Sequence, residues 1–313
     1  MTTALFTHPA CLEHATPAGH PERVDRLRTV LSALRNESFA QLVEMEAPRV
    51  QFEALLRAHD RMHVAEILSA KIGPGEFARI DADTVISSGS ADAALRAAGA
   101  VTAAADAVMS RRIDNAFCAI RPPGHHAERV RPMGFCLFNN IAVGALHVRA
   151  VHGLARIAVV DFDVHHGNGT QDIFFDDPNL FYASTHQFPL YPGTGLSSER
   201  GEAGNIVNVP LPPGTGSAGF RAAYEERILP ALAEFAPEFL FLSAGFDAHE
   251  ADPLASLRLG EEDFEWVTQR LCRLAARACE GRVVSALEGG YDLDALARST
   301  VAHVRALAAS GKG

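Results

Sequence analysis

No Cys-x-x-Cys pair occurs among the five cysteines, Cys11, Cys118, Cys136, Cys272 and Cys279. The odd count and loose spacing argue against a disulfide framework and suit reduced thiols that fill a core. Cys272 and Cys279 are seven apart in a helical pattern and are expected to share one face. No apolar run approaches the ~20 residues of a membrane-spanning helix, and no N-terminal stretch joins a basic region, an apolar core and a small-residue cleavage site. The expected location is therefore the cytoplasm, with no membrane partner. Positive charge is scarce as well. A formal net charge of -10 and a pI near 5.8 argue against nucleic acid as a partner, while an acidic surface can attract a cationic substrate. Repeats, low-complexity segments and interdomain linkers are absent, so the 313 residues are read as one domain, 1–313. A homo-oligomer is left open.

What is present is an ordinary globular composition, 48% hydrophobic and 21% charged. Short apolar runs rich in β-branched and aromatic residues predict strands at 4–6, 42–45, 116–120, 157–162, 180–184, 206–209, 239–243 and 283–287. Helical patterns at 22–34, 62–69, 91–109, 141–151, 218–235, 262–278 and 293–308 lie between them. This alternation predicts an α/β fold in three layers, α/β/α, with a mostly parallel sheet of about eight strands. Ligands of such sheets bind beyond the carboxyl ends of the strands.

The chemistry-bearing motifs all follow predicted strands. In IAVVDFDVHHGNGTQ, an apolar strand ends in Asp161, Asp163 and His165 at alternating positions, and period two places them on one face. Burying two carboxylates and an imidazole together needs a compensating cation, and Asp and His suit Zn²⁺. Asp247, after the apolar strand of FLFLSAGFDAHEADP, arrives at the same sheet edge as a further donor; alone it would read as a helix-capping Asp. FCAIRPPGHHAE sets His125 and His126 in a Pro-Gly turn, where they can serve as base and partner. MGFCLFNN offers Gly134 and Phe135 as the lining of a narrow apolar slot, and HQFPLYPGTG offers Tyr191 as a second aromatic wall. Tyr291 follows Gly289 and Gly290 at a helix start, where its phenol can steady an oxyanion.

Taken in order, GHPERVDRL, RPPGHHA, MGFCLFNN, VDFDVHHGNGTQ, YPGTG, SAGFDAH and LEGGYDL resemble the histone deacetylase family across nearly the whole chain. DVHHGNG and LEGGY look like its class II branch, which includes bacterial deacetylase-like amidohydrolases and is similar to acetylpolyamine amidohydrolases. The resemblance implies an arginase/deacetylase-like fold and zinc-dependent hydrolysis of an acyl amide, releasing acetate and a free amine. It implies Asp163, His165 and Asp247 as metal ligands, Asp161 hydrogen-bonded to His125, and His126 as general base. Tyr291 would be the oxyanion partner, and Phe135 with Tyr191 the tunnel walls. Asp83 would sit at the tunnel rim and hold a substrate backbone or amine. A structural monovalent cation, usually potassium, is implied beside Asp161, Asp163, His165, Ser184 and Thr185.

Asn168 stands where class I members have Asp; class II members share this Asn, which should leave His126 less basic. Tyr291 stands where some poorly active class II members carry His, so an active enzyme is expected. Leu254 occupies a rim position where polyamine-selective members present Glu, which favours an acyl-lysine or neutral acyl amide substrate. The rival readings are an acetylpolyamine amidohydrolase, a dimanganese ureohydrolase and an inactive acyl-lysine binding module. A two-metal site needs more carboxylates near Asp247, where His249 and Glu250 follow without an evident second bridging Asp.

Overall fold

The structure, a computed structural model, describes residues 2–310, so residues 1 and 311–313 of the expected domain lie outside it. The described residues form ten strands and ten α-helices. The strands are β1 (Thr3–Thr7), β2 (Val43–Glu46), β3 (Ala78–Arg79), β4 (Val85–Ile86), β5 (Asn115–Cys118), β6 (Ile157–Asp161), β7 (Leu180–Gln187), β8 (Ile206–Leu211), β9 (Phe239–Ala244) and β10 (Val283–Leu287). The helices are α1 (Val24–Leu34), α2 (Phe52–Ala58), α3 (Arg61–Ser69), α4 (Ser90–Met109), α5 (Asn140–His152), α6 (Asn168–Phe174), α7 (Ser217–Ala223), α8 (Leu229–Phe235), α9 (Glu261–Ala278) and α10 (Leu293–Ala309).

Eight strands form one sheet in the order β2-β1-β5-β10-β9-β6-β7-β8, and every pairing in it is parallel. The central strands β5, β6, β9 and β10 are buried along their whole length. That is why they read as continuous apolar runs, and it requires helical cover on both faces. One group of helices, α1, α10 and α9, packs in series, and a second joins α2, α5 and α4. The expected three-layer architecture is observed. Among the described residues, no helix is long and apolar enough to cross a membrane.

Three features differ from expectation. β3 and β4 form a small antiparallel hairpin outside the main sheet, too short to show any hydrophobic period. α2 and α6 are seven-residue helices with no long apolar repeat. The helix expected over 218–235 is interrupted at Tyr224–Ile228 by a π-helical turn. All five cysteines are free and buried, Cys272 and Cys279 included.

The sheet order explains where chemistry gathers. β5, β10, β9 and β6 are consecutive neighbours, so the four loops leaving their carboxyl ends converge on one place.

Candidate active site

β6 ends at Asp161, and the chain beyond it turns by side-chain-to-backbone bonding. Oδ1 of Asp161 accepts the backbone N–H of Asp163 at 3.1 Å, and Oδ1 of Asp163 accepts that of His165 at 2.9 Å. Successive carboxylate turns, not strand pleating, therefore aim Asp163 and His165. This corrects the expectation that one strand carries all three residues.

Asp247, in the loop after β9, completes the group. Nδ1 of His165 lies 3.2 Å from Oδ1 of Asp163 and 3.1 Å from Oδ2 of Asp247. The other oxygen of Asp247 accepts the N–H of Val164 at 2.9 Å. All three side chains are buried, with their donor atoms within 4.8 Å of one another. Burial works against a charge on His165, yet Asp163 and Asp247 raise its pKa to about 10. Against burial, His125 and His165 hold Asp163 well below the usual carboxylate range, while burial and repulsion by Asp163 push Asp247 up. A dry site with two carboxylates demands positive charge. A divalent cation meets that demand, and N/O donors at these separations suit an ion with bonds of ~2.0–2.2 Å. Glycines leave the room: a Cβ on Gly245 would collide with the Asp163 carboxylate, and one on Gly289 with Asp247.

His125 and His126 follow β5 with ring centroids 4.0 Å apart, but their surroundings differ. Nδ1 of His125 donates to Oδ2 of Asp161 at 2.9 Å; burial opposes its charge, but Asp161 and Asp163 carry it to about 10. Nδ1 of His126 donates to Oδ1 of Asn168 at 2.8 Å, and burial, then the charges of His125 and His165, hold it well below its ordinary value. His126 is thus a neutral imidazole whose Nε2 is free to accept a proton. Asn168, at the start of α6, is oriented in turn by Oε1 of Glu128 at 2.7 Å.

The aromatic side chains stand around these groups. Tyr191 meets His126 edge-on at 5.1 Å and is 38% exposed, so it reaches from the imidazoles to solvent. Phe135 faces Tyr291 at 6.1 Å. Gly134 and Phe135 have φ of 57° and 67°. A Cβ at Gly134 would strike the His126 ring, so only glycine lets this loop close on the imidazole. The unusual backbone of Phe135 is held by donation to Oγ1 of Thr84 at 3.0 Å, and Gly134 donates to Oδ1 of Asp83 at 3.2 Å. Asp83, expected at the tunnel rim to hold a substrate backbone or amine, lies in the β3–β4 turn and braces the Gly134–Phe135 loop.

Tyr291 donates its backbone N–H to Oδ2 of Asp252 at 2.7 Å, and Oδ1 of Asp252 accepts from Leu254 at 3.0 Å. One carboxylate therefore ties Tyr291 to half-buried Leu254. The Arg26 guanidinium lies 4.8 Å over the Tyr291 ring. Burial outweighs Arg26 and keeps the phenol protonated. Ser184 pairs with Asp161 in the sheet register, but its hydroxyl bonds Nδ1 of His186 at 2.9 Å. The buried Thr185 hydroxyl has no partner.

Sequence reasoning passed over several contributors. Glu288, the residue after β10, is buried, accepts the N–H groups of Gly124 at 2.7 Å and His125 at 3.2 Å, and has its pKa pushed up to about 7 by burial. The signal was available, because Glu288 directly follows the apolar strand β10. Glu22 forms a buried pair with both Arg26 and Arg121, and Arg26 also bonds the carbonyls of Glu288 and Gly290. Asp252 was likewise unassigned.

The chain is similar to known proteins along nearly its whole length. Residues 20–307 match the model of the histone deacetylase domain. The chain is 41% identical over 302 residues to a probable deacetylase of Archaeoglobus fulgidus, covering 94% of this chain and 82% of that protein. It is 37% identical over 353 residues to type-2 histone deacetylase 2 of Dictyostelium discoideum, covering 98% of this chain but 21% of that longer protein. The crystal structure of the HDA15 HD domain aligns with a TM-score of 0.93 at 34% identity, over 100% of this chain and 89% of that domain.

Proposed function

This chain belongs to the histone deacetylase family, and from that premise we propose that it is a zinc-dependent amidohydrolase that removes an acetyl group from an acyl-lysine or a small acylated amine. The observation that carries the reading is a neutral, oriented His126 beside the buried group of Asp163, His165 and Asp247. These three residues would hold the ion. When bound, Zn²⁺ supplies Lewis-acid polarisation of the acyl carbonyl and acidifies water.

The side chains do the rest. His126 takes a proton from the attacking water through Nε2 and returns it to the departing amine, with Asn168 fixing its tautomer. His125, charged through Asp161, adds positive potential next to the reacting carbonyl. Tyr291, its proton retained by burial, donates to the developing oxyanion. Phe135 and Tyr191 flank the acyl-amine stem, and Asp83 keeps Phe135 in place through the loop it braces. A potassium ion beside Asp161, Asp163, His165, Ser184 and Thr185 is proposed as a structural counter-charge, and the unpartnered Thr185 hydroxyl supports it. Three donors without a further bridging carboxylate favour one ion over a dimetal ureohydrolase centre. The complete set of acid, base and oxyanion groups favours an enzyme over an inactive binding module.

The test is acetate release from an acetyl-lysine peptide before and after chelation. Activity should vanish on metal removal and return with about one equivalent of Zn²⁺. Full turnover by metal-depleted protein overturns the zinc assignment.

A further inference from the structure

A second group of metal-type donors lies on the helices, outside the site described above. Asp106 projects from α4, and His147 and His152 project from α5. Nε2 of His147 and Nε2 of His152 lie 2.8 and 2.7 Å from the same oxygen, Oδ1 of Asp106. Their ring centroids are 6.1 Å apart. α4 and α5 pack against each other, so the three donors are carried by rigid elements instead of loops.

The arrangement has the properties a cation needs. One donor atom from each residue lies within 4.8 Å of the others, as in the Asp163 group. Side-chain exposures of 42% for Asp106, 14% for His147 and 23% for His152 leave a path for an ion and for water ligands. Against partial burial, the two imidazoles keep the Asp106 carboxyl below the usual range, so it is already in its ligating, ionised form. Nδ1 of His147 is buried without a partner, which leaves Asp106 as the only polar contact of that ring.

We propose that Asp106, His147 and His152 form a second divalent-metal site, for Zn²⁺ or a similar borderline transition ion, that cross-links α4 to α5. Two imidazoles and one carboxylate match zinc, nickel, cobalt or copper, whereas calcium and magnesium prefer all-oxygen sets. In the metal-free state, two N–H protons occupy the place of the ion. Its entry shifts each imidazole to its Nδ1–H tautomer, so that both Nε2 lone pairs face the ion, and spreads the donors by about half an ångström, to the edge length that bonds of ~2.0–2.1 Å require. Partly exposed side chains allow that movement. Solvent molecules complete the coordination.

The experiment uses protein already loaded at its principal site, then titrated with Zn²⁺ and with Ni²⁺ by calorimetry, with elemental analysis after gel filtration. Wild type should take up one ion more per chain than His152→Ala or Asp106→Asn, and its melting temperature should rise with Ni²⁺ while theirs does not. Both variants should keep wild-type deacetylase turnover. His165→Ala should still bind the additional ion, which separates this site from the one beside His126. Equal ion counts and equal thermal shifts in wild type and His152→Ala overturn the proposal, as does uptake of Mg²⁺ or Ca²⁺ with the same affinity. If Asp106→Asn does not fold, His152→Ala alone decides, because His152 is at the exposed end of α5.

Discussion

Removing any one of Asp163, His165 or Asp247 leaves two donors and an unbalanced buried charge, so Asp163→Ala, His165→Ala and Asp247→Ala should each lose most of the metal bound at this site. Elemental analysis of His152→Ala-background proteins, which lack the second proposed site, checks this; near-stoichiometric zinc in all three refutes the ligand set. Tyr291→Phe should fold and bind metal normally, yet kcat should fall by ~10²-fold to 10³-fold, the usual cost of one oxyanion donor. Unchanged turnover would remove Tyr291 from the chemistry. These residues were readable because each lies just past an apolar strand, where carboxylates and imidazoles have no structural reason to be. What could not be read was how the backbone aims them: the carboxylate turns at Asp161 and Asp163 depend on side-chain acceptors folding back on their own chain. Asp252 and Glu288 escaped notice for a related reason. Asp252 bonds backbone N–H groups of Tyr291 and Leu254, and Glu288 those of Gly124 and His125 together with the Ser243 hydroxyl at 3.3 Å, partners that become visible in space alone.

Among the elements, α1 is tied to the sheet by charge as well as by its apolar face. Glu22, just before α1, pairs in full burial with Arg26 on that helix and with Arg121 after β5. Burial opposes its ionisation, but Arg121 and then Arg26 depress its pKa from 4.5 to about 2. Between these values the unfolded chain binds more protons than the folded one, so this contribution is complete above pH 4.5 and is lost as pH falls toward 2. Glu22→Gln should cost about 3–5 kcal/mol at neutral pH, because it leaves two buried guanidinium groups without a counter-charge. Denaturant unfolding at pH 4.5 and at pH 2.5 should show the gap between wild type and variant narrowing at the lower pH; a constant gap refutes the assignment. At this scale the strands were the most legible elements, since burial on both faces writes an unbroken apolar run. β3 and β4 have two residues each and carry no such record. α6 begins Asn168-Gly169-Thr170, a sequence of weak helix formers held by tertiary contacts such as that of Asn139 with Thr170 at 3.1 Å.

The molecule as a whole carries a net charge of -10, which draws cations to it without choosing among them. We propose that the choice falls to Leu254, which stands beside the Tyr291 loop, fixed by the carboxylate of Asp252 that both share. An apolar side chain at that position favours the aliphatic stem of an acylated lysine. A carboxylate there would hold the distant ammonium groups of an acetylated polyamine. The chain should therefore turn over an acetyl-lysine peptide with higher kcat/KM than N8-acetylspermidine, and Leu254→Glu should move the ratio toward the polyamine. Each 1.4 kcal/mol of difference between the two mouths is tenfold in selectivity. Because the acidic field acts on the dicationic polyamine and hardly on a neutral acetyl-lysine side chain, raising the salt concentration should slow capture of the polyamine and widen the wild-type preference for the peptide. Asp83, beside the loop that carries Phe135, is a competing acidic group, but Thr84 and Gly134 already occupy its Oδ1. A tenfold or greater wild-type preference for the polyamine would show that the acidic surface, and not Leu254, sets the specificity.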